Sequence, residues 1–206
     1  MHKESPWNKE LAYLFGLLLG DGSLPISKTK RENGRLQNRY FIYFWSNNKE
    51  FLEDLYVPIF KKLFLLEPRI ERLNHKINDF YNCRIESKHI YLYLASLGFT
   101  LGRKARIAKV PNLPSEFRYD LLAGLLDTDG GKKGSGFGLS TASEELAIFC
   151  SDLFRELDLP FHSCPWKYKG HMYHQIYVRR KGFLKLLEHI PIRNKEKINF
   201  LKTKAL

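Results

Sequence analysis

The sequence has little cysteine, few acidic residues and no long hydrophobic run. Its 206 residues include three cysteines, an odd number without a Cys-x-x-Cys pair, so neither a disulfide framework nor a zinc site is indicated and buried thiols are expected. The first residues lack the apolar core of a signal peptide. The longest apolar stretch falls short of the roughly 20 residues of a membrane span. We therefore expect an intracellular protein, cytoplasmic or nucleoid-associated, that is neither secreted nor membrane-bound.

The charge balance is strongly basic. There are 34 lysines and arginines against 22 acidic residues, a net charge of +12, while 44% hydrophobic and 14% aromatic residues suffice for a packed core. Such a surplus predicts an anionic partner, and nucleic acid is the leading candidate. Ribosomal and membrane-surface proteins are also basic, so charge alone does not decide between them.

Two stretches of the chain resemble each other, LAYLFGLLLGDG at 11–22 and LLAGLLDTDG at 121–130. Each is an apolar run with small residues one helical turn apart, and each ends in Asp-Gly. Gly16 and Gly20 in the first copy lie four positions apart, as do Gly124 and a threonine in the second, so each pair shares one helix face. Small side chains there allow two helix backbones to approach closely.

Both helices are expected to end at an acidic residue, Asp21 in the first copy and Asp129 in the second. A carboxylate at the negative end of a helix is unfavourably placed. Two such ends side by side would need a cation, and an oxygen-rich site favours a hard ion such as Mg²⁺. The carbonyls of Gly20 and Thr128 could add oxygen ligands. The alternative is that Asp-Gly only marks two turns, but its repetition after matching helices favours the site.

The two runs resemble a known signature. LFGLLLGDG (14–22) and LAGLLDTDG (122–130) are similar to the motif of the LAGLIDADG homing endonucleases, with Leu19 replacing the first acidic letter in the first copy. Two copies in one chain resemble the single-chain branch, and most of all its archaeal, intron-encoded members. The resemblance implies an α+β fold of two pseudo-symmetric αββαββα repeats, whose antiparallel sheets form a saddle on DNA.

The residue pattern itself predicts helix–two strands–helix–two strands–helix, twice. We place the N-terminal repeat at 1–101, a basic linker with two prolines at 102–114 and the C-terminal repeat at 115–206. Ser5 and Ser115 are the predicted N-caps of the two motif helices. Asn48 and Ser143 are the predicted caps of the middle helices. The predicted strands cover residues 23–30, 39–46, a hairpin within 69–86, a hairpin within 131–141, 163–168 and 172–179.

The resemblance also implies metal-dependent hydrolysis of DNA. Asp21 and Asp129 match the metal-binding acidic residues of the family. The expected cofactor is Mg²⁺, with Mn²⁺ as an alternative and Ca²⁺ as a non-cleaving substitute. Two carboxylates that hold divalent ions supply most of what cleavage of a phosphodiester needs.

Further catalytic residues follow by register from the family. Lys88 and Lys181 stand at the end of the fourth strand of each repeat, where relatives place a basic residue near the scissile phosphate; Lys132 is a rival for the second position. Each could equally be a solvated lysine. Ser46 and Thr141 match the end of the second strand, where a polar residue positions water, although helix capping is the more ordinary role.

DNA reading should fall to the strands. Alternation places Asn82 and Arg84 on one face of their strand, and Gln175, Tyr177 and Arg179 outward in the second repeat. Such side chains suit a major groove, while lysines and arginines meet phosphates. The expected DNA-binding set is Lys28, Lys30, Arg31, Arg35, Arg39, Asn82, Arg84, Lys133, Lys167, Lys169, Gln175, Tyr177, Arg179 and Arg180.

The resulting hypothesis is a monomeric, site-specific endonuclease for double-stranded DNA. The resemblance implies cleavage of both strands across the minor groove, leaving short 3′ overhangs, at a long asymmetric site. Two alternatives use the same fold: a maturase that binds intron RNA, and a DNA-binding regulator without cleavage. Loss of the acidic pair would favour the maturase, and both Asp21 and Asp129 are present.

Overall fold

The structure is a computed structural model that describes residues 5–73, 79–102 and 106–205. Its elements, in chain order, are α1 (Lys9–Asp21), β1 (Gly22–Ser23), β2 (Ile26–Lys30), β3 (Leu36–Ser46), α2 (Lys49–Phe51), a π-helical turn (Leu52–Tyr56), α3 (Val57–Phe64), β4 (Arg69–Leu73), β5 (Phe80–Glu86), α4 (Lys88–Ser96), a 3₁₀ turn (Ser115–Phe117), α5 (Arg118–Asp129), β6 (Gly131–Lys133), β7 (Gly136–Thr141), α6 (Glu144–Glu156), β8 (Phe161–Tyr168), β9 (His171–Arg179), a 3₁₀ turn (Arg180–Gly182), α7 (Phe183–His189) and α8 (Lys195–Ala205). The predicted α+β order of helices and strand pairs therefore occurs twice.

The chain forms two compact units. One, the motif unit, combines Met1–Gly20 with Arg103–Leu206, and the other, the middle unit, is Asp21–Gly102. The motif unit thus holds almost all of α1 together with α5, because these two helices pack on each other. The repeat boundaries inferred from sequence divide the chain differently and stay a prediction, with residues 103–105 of the linker outside the described residues.

The predicted helix caps are right for the middle helices and wrong for the motif helices. Asn48 Oδ1 accepts the backbone N–H of Phe51 at 2.9 Å, as expected of a cap. At α1, however, the cap is Asn8, whose Oδ1 accepts the N–H of Leu11 at 2.9 Å. Ser5 lies outside the helix. Ser115 begins a 3₁₀ turn instead, and no side chain caps α5. Each motif helix therefore begins two to three residues later than the sequence indicated.

The strands reach further than predicted, and one helix was missed. β3 begins at Leu36 and pairs with β2 across a short turn, so most of the predicted basic loop is a hairpin. Polar side chains do not prevent pairing at a sheet edge, where both faces of the hairpin are exposed. α8 has few apolar residues, and sequence periodicity did not indicate it.

In the middle unit the sheet order is β1-β3-β5-β4, with β2 also on β3, and every pairing is antiparallel. Its inner face presents Ile42, Phe44 and Ile85 to the helices, all nearly inaccessible to solvent. The ring of Phe44 stacks on Tyr56 at 4.2 Å. This burial holds one face of the sheet on the helices and leaves the other face outward.

The motif unit has a second antiparallel sheet, of order β6-β7-β9-β8. Its inner face carries Phe137, Leu139, Ile176 and Val178, each at most 1% exposed. These residues pack beneath α6, and α7 and α8 pack on each other at the same core. No helix within the described residues is long and apolar enough to cross a membrane.

The cysteines follow the expectation of buried thiols only in part. Cys83 and Cys150 are buried, whereas Cys164 on β8 is exposed. Burial raises the pKa of the Cys83 thiol to about 12. Two of the three thiols are therefore inert core side chains.

Candidate metal and nucleic-acid site

The site is built on the seam between α1 and α5. A Cβ added to Gly16 would lie closer than 3.0 Å to the carbonyl oxygen of Leu121 and the amide nitrogen of Leu125, and one added to Gly124 would meet the backbone of Tyr13 equally closely. Backbone atoms cannot move aside as a flexible side chain can. The two helices are therefore in direct backbone contact, as the small-residue pattern predicts.

The same seam brings the acidic end of α5 to the end of α1. A Cβ added to Gly20 would lie closer than 3.0 Å to the side chain of Thr128 and 3.5 Å from the carboxyl carbon of Asp129. Asp21 follows Gly20 as the last residue of α1. Asp21 and Asp129 are both exposed, so solvent reaches both residues.

The donors of this seam fit Mg²⁺ better than a transition metal. Within the described ranges there is no group of three or more His, Cys, Asp or Glu side chains that could hold a metal ion. Mg²⁺ does not need such a cage, since it usually binds one or two carboxylates and completes its shell with water and phosphate oxygens. The carboxylate of Asp129 against a glycine, where a larger side chain would fill the space, fits that arrangement.

A buried carboxylate behind the seam escaped the sequence analysis. Asp127 is 2% exposed. Its Oδ2 accepts the hydroxyl of Tyr13 at 2.5 Å and the backbone N–H of Arg193 at 2.7 Å. Its Oδ1 has no hydrogen-bond partner among the described residues. Burial raises the pKa of Asp127 against these donors, and burial beside Asp127 also raises the pKa of Tyr13.

Arg193 ties this network to the start of α1. Its guanidinium lies 4.1 Å from the centre of the Tyr13 ring and donates to the carboxylate of Glu10 at 2.7 Å. The only sign of this network in the sequence was an acidic residue, Asp127, within an apolar run. Nothing in the local sequence marks Arg193, because its partners lie more than sixty residues away along the chain.

Lysine occupies the carbonyl end of α5. Lys197 Nζ donates to the carbonyl oxygens of Leu126 and Thr128, both at 2.8 Å. The Thr128 hydroxyl donates back into its own helix, 3.2 Å from the Gly124 carbonyl. The Thr128 carbonyl, which the sequence predicts as a metal ligand, is therefore already bound to a cation. This makes it a poorer ligand than the carboxylate of Asp129.

The three candidate catalytic lysines are all exposed. Lys88 is the first residue of α4, with Nζ 5.7 Å from the centre of the Tyr40 ring. Lys181 lies in the 3₁₀ turn after β9, which is the matching place in the second repeat. Lys132 lies on β6, three residues after Asp129. Their catalytic roles stay predictions.

Lys132 borders a pocket of about 280 Å³ in the motif unit. The lining residues are Lys132, Gly134, Ser135, Gly136, Arg180, Phe183, Phe200 and Lys204. Three of them are cations and none is acidic, so the pocket suits an anionic group. The Arg180 guanidinium is fixed by a hydrogen bond to the backbone carbonyl of Lys204.

The two hydroxyl residues predicted to position water instead serve helix starts. Ser46 Oγ accepts the backbone N–H of Asn48 at 3.0 Å, and Thr141 Oγ1 accepts that of Ser143 at 3.0 Å. The two halves make this contact identically. It matches the capping role that the sequence analysis held to be the more ordinary one, and a catalytic role for either residue stays a prediction.

The outward face of the middle-unit sheet is more aromatic than expected. Phe41, Tyr43 and Trp45 follow one another on β3, and Trp45 stacks on Phe80 at 5.7 Å. Asn82 pairs with Trp45 in the ladder and is only 4% exposed. Asn82 is therefore buried, and its role in reading a base stays a prediction.

Ion pairs hold two of the arginines predicted to contact DNA in the middle unit. Arg39 makes a two-pronged contact with Glu86 that holds the pKa of this carboxyl below its usual range. Arg84 lies 3.3 Å from Glu71. Further along the β2–β3 hairpin, Lys28, Lys30, Arg31 and Arg35 are all exposed.

In the motif-unit sheet, the residues of β9 that were predicted to point outward do so. Gln175, Tyr177 and Arg179 lie opposite the buried Ile176 and Val178, and Arg179 is exposed. Among the other predicted contacts, Lys133 is half-buried, while Lys167, Lys169 and Arg180 are exposed. Lys169 and Gly170 form the tight turn of the β8–β9 hairpin, both at positive φ.

In sequence, the chain resembles known proteins only weakly. No family model matches the chain. A search of curated proteins finds the replication factor C small subunit of Methanocaldococcus jannaschii, 28% identical over 151 residues. The match covers 71% of this chain but only 7% of that protein's length.

Solved structures match over most of the chain. The homing endonuclease I-DmoI in complex with DNA and Ca has a TM-score of 0.65 at 18% identity, covering 95% of this chain and 97% of its own. The meganuclease I-SmaMI bound to uncleavable DNA has a TM-score of 0.60 at 13% identity, covering 98% and 88%. The chain has the LAGLIDADG homing endonuclease fold. At these identities the likeness shows the fold alone, and the role of each residue depends on the chemistry of this chain.

Proposed function

We propose that the protein is a site-specific endonuclease that cleaves both strands of DNA with Mg²⁺. The observation that carries the proposal is the seam itself, where backbone contact between α1 and α5 sets Asp129 beside Gly20, the residue before Asp21. Neither a tight turn nor a binding surface requires two helices in backbone contact that both end in an exposed carboxylate. Metal-dependent hydrolysis of a phosphodiester does use acidic ligands of this kind.

Each group of residues has a proposed role that follows from its chemistry. The carboxylates of Asp21 and Asp129 would hold the ion, which when bound supplies a Lewis acid for the phosphate. Lys88, Lys181 and Lys132 would neutralise phosphate charge near the cleaved bonds. The outward sheet residues and the basic hairpin would bind DNA, with Arg179 and Gln175 aimed at base edges and lysines at phosphates.

The finer features of the proposal follow from two unlike copies in one chain. A monomer with repeats at 1–101 and 115–206 has no exact two-fold axis, so its target is long and asymmetric. We further propose that cleavage leaves short 3′ overhangs and that an archaeal intron encodes the protein. The matched structures I-DmoI and I-SmaMI, which were solved with DNA, support DNA as the partner.

The test is strand cleavage by the purified protein on DNA from the region flanking its reading frame. We expect cleavage with Mg²⁺ that EDTA abolishes, and a loss of at least about a hundredfold for Asp129→Asn and Asp21→Asn with DNA affinity retained. Asp158→Asn is the matched control, since the Asp158 side chain is fully exposed.

Other outcomes would decide for the alternatives. Binding of DNA without cleavage in either Mg²⁺ or Mn²⁺ would point to a regulator. Tight binding of the intron RNA, with no DNA cleavage, would point to a maturase. Cleavage undiminished in Asp129→Asn would refute the proposed metal site.

A further inference from the structure

The residues just before α8 bind the end of the motif helix α5. The backbone N–H of Arg193 and the side-chain amide of Asn194 donate to the carboxylate and the carbonyl of Asp127, at 2.7 and 3.3 Å. Asn194 Oδ1 in turn accepts the N–H of Glu196 at 3.1 Å, which caps α8. Lys197, one turn into α8, is therefore held in a defined position.

The charged side chain of Lys197 binds the C-terminal end of α5. Its ammonium lies 2.8 Å from the carbonyl oxygens of Leu126 and Thr128. Of these two carbonyls, that of Leu126 also accepts the backbone N–H of Gly130 at 3.0 Å. A lysine on the terminal carbonyls opposes the negative end of the helix dipole. It compensates there for the absence of any basic residue in the last turn of α5.

The position of this cation has a consequence for Asp129. The Thr128 carbonyl, 2.8 Å from the Lys197 ammonium, belongs to the peptide bond that leads into Asp129. The ammonium therefore lies within the roughly 8 Å over which charges interact in physiological salt. A positive charge at that distance repels a divalent ion. It also removes the Thr128 carbonyl from the set of available ligands.

We propose that Lys197 is a positioning residue that orders the acidic end of α5 and lowers the affinity of Asp129 for a divalent ion. The inference rests on the proposed metal site at Asp129. It adds that the C-terminal helix, which carries no part of either motif, sets the ion concentration at which this end of the seam is filled. Lys197 therefore stabilises the end of α5 when no ion is bound, and its positive charge opposes the binding of an ion at Asp129.

The experiment titrates Mn²⁺ alone into the 206-residue protein and follows free Mn²⁺ by electron paramagnetic resonance. Asp129→Asn identifies the Asp129-dependent site. Lys197→Gln removes the charge and keeps a donor, Lys197→Arg keeps the charge, and Lys197→Met is a second neutral variant of similar length. Lys202→Gln is the matched control, an exposed lysine on the same helix.

We expect Lys197→Gln to bind Mn²⁺ about three- to tenfold more tightly at the Asp129-dependent site while its melting temperature falls. Lys197→Arg and Lys202→Gln should stay near the wild-type affinity. If neutral variants lose stability but keep the wild-type Mn²⁺ affinity, Lys197 is only a structural clamp and the inference is wrong, with the proposed function untouched. If wild type and Asp129→Asn bind Mn²⁺ equally, the metal site and this inference both fall.

Discussion

The two motif helices share one packing seam but are supported differently. Up to Gly20, α1 is nearly all apolar and buried, and it carries Leu19 where α5 carries Asp127. α5 has a buried carboxylate near its end, which Tyr13 and the residues before α8 hold by hydrogen bonds. The seam depends on small residues in both helices, whereas the buried carboxylate belongs to α5 alone, with Tyr13 of α1 among its donors.

The difference shows that two copies of one sequence motif can be stabilised by different interactions. Backbone contact is a steric requirement, so both copies must meet it with small residues. A buried carboxylate costs free energy unless donors satisfy it. Only the second copy, with a C-terminal segment next to it, has such donors in the structure. The acidic ends can therefore match in sequence and still differ in stability and charge.

Breaking the shared seam should have the largest effect. Gly124→Val would place side-chain atoms against the backbone of Tyr13 and Leu17, and we expect it to lower the free energy of unfolding by about 3 kcal/mol or to prevent folding. Gly131→Ala is the control, because a Cβ added there meets nothing within 4 Å. Equal urea midpoints for the two variants would show that the helices do not rely on this contact.

Removing one donor tests the hydrogen-bond network around the buried carboxylate of Asp127. Tyr13→Phe deletes the hydroxyl that binds Asp127, and we expect a loss of about 1–3 kcal/mol because a buried carboxylate oxygen loses a partner. Tyr168→Phe, at an exposed ring, should change the free energy of unfolding little. Chemical denaturation measures both, and a loss no larger than that of the control would mean that Asp127 does not need this donor.

The pH dependence of stability should separate the two helices further. Burial raises the pKa of Asp127 above its ordinary 3.8, so the folded state holds the proton more tightly than the unfolded state. The stability from this group is present below 3.8 and is lost as pH rises through the folded pKa. Asp127→Asn has no such proton, so the wild type should lose stability relative to it between about pH 4 and pH 7.

Urea unfolding at both pH values measures this difference. Asp158→Asn, at a fully exposed side chain, should show no comparable change. A wild type that gains stability relative to Asp127→Asn on raising the pH would mean that the donors from Tyr13 and Arg193 outweigh burial, and that the pKa of Asp127 is lowered.

The smallest expected effect compares one arginine from each sheet. Arg39 is already paired with Glu86, whereas Arg179 is exposed with no ion-pair partner among the described residues. We expect Arg179→Ala to weaken DNA binding several-fold more than Arg39→Ala, and to reduce the salt dependence of binding by about one ion. Fluorescence anisotropy over a salt series measures both. A larger loss for Arg39→Ala would mean that DNA displaces Glu86.

Local signals in the sequence identified many parts of the fold. Two apolar runs with glycines one turn apart predicted the motif helices, because helix packing needs small residues at that spacing. Strand alternation correctly assigned Ile176 and Val178 to the core. It could not show that Asn82 is buried, because burial depends on how neighbouring strands and their side chains pack.

The sequence by itself determined the order of elements, the pair of acidic ends and the basic surface, since each depends on residues near one another in the chain. Only the tertiary structure decided how the acidic end of α5 is held. Arg193 and Lys197 reach Asp127 and Thr128 from more than sixty residues away. Such contacts form only when distant segments pack, and no local periodicity encodes them.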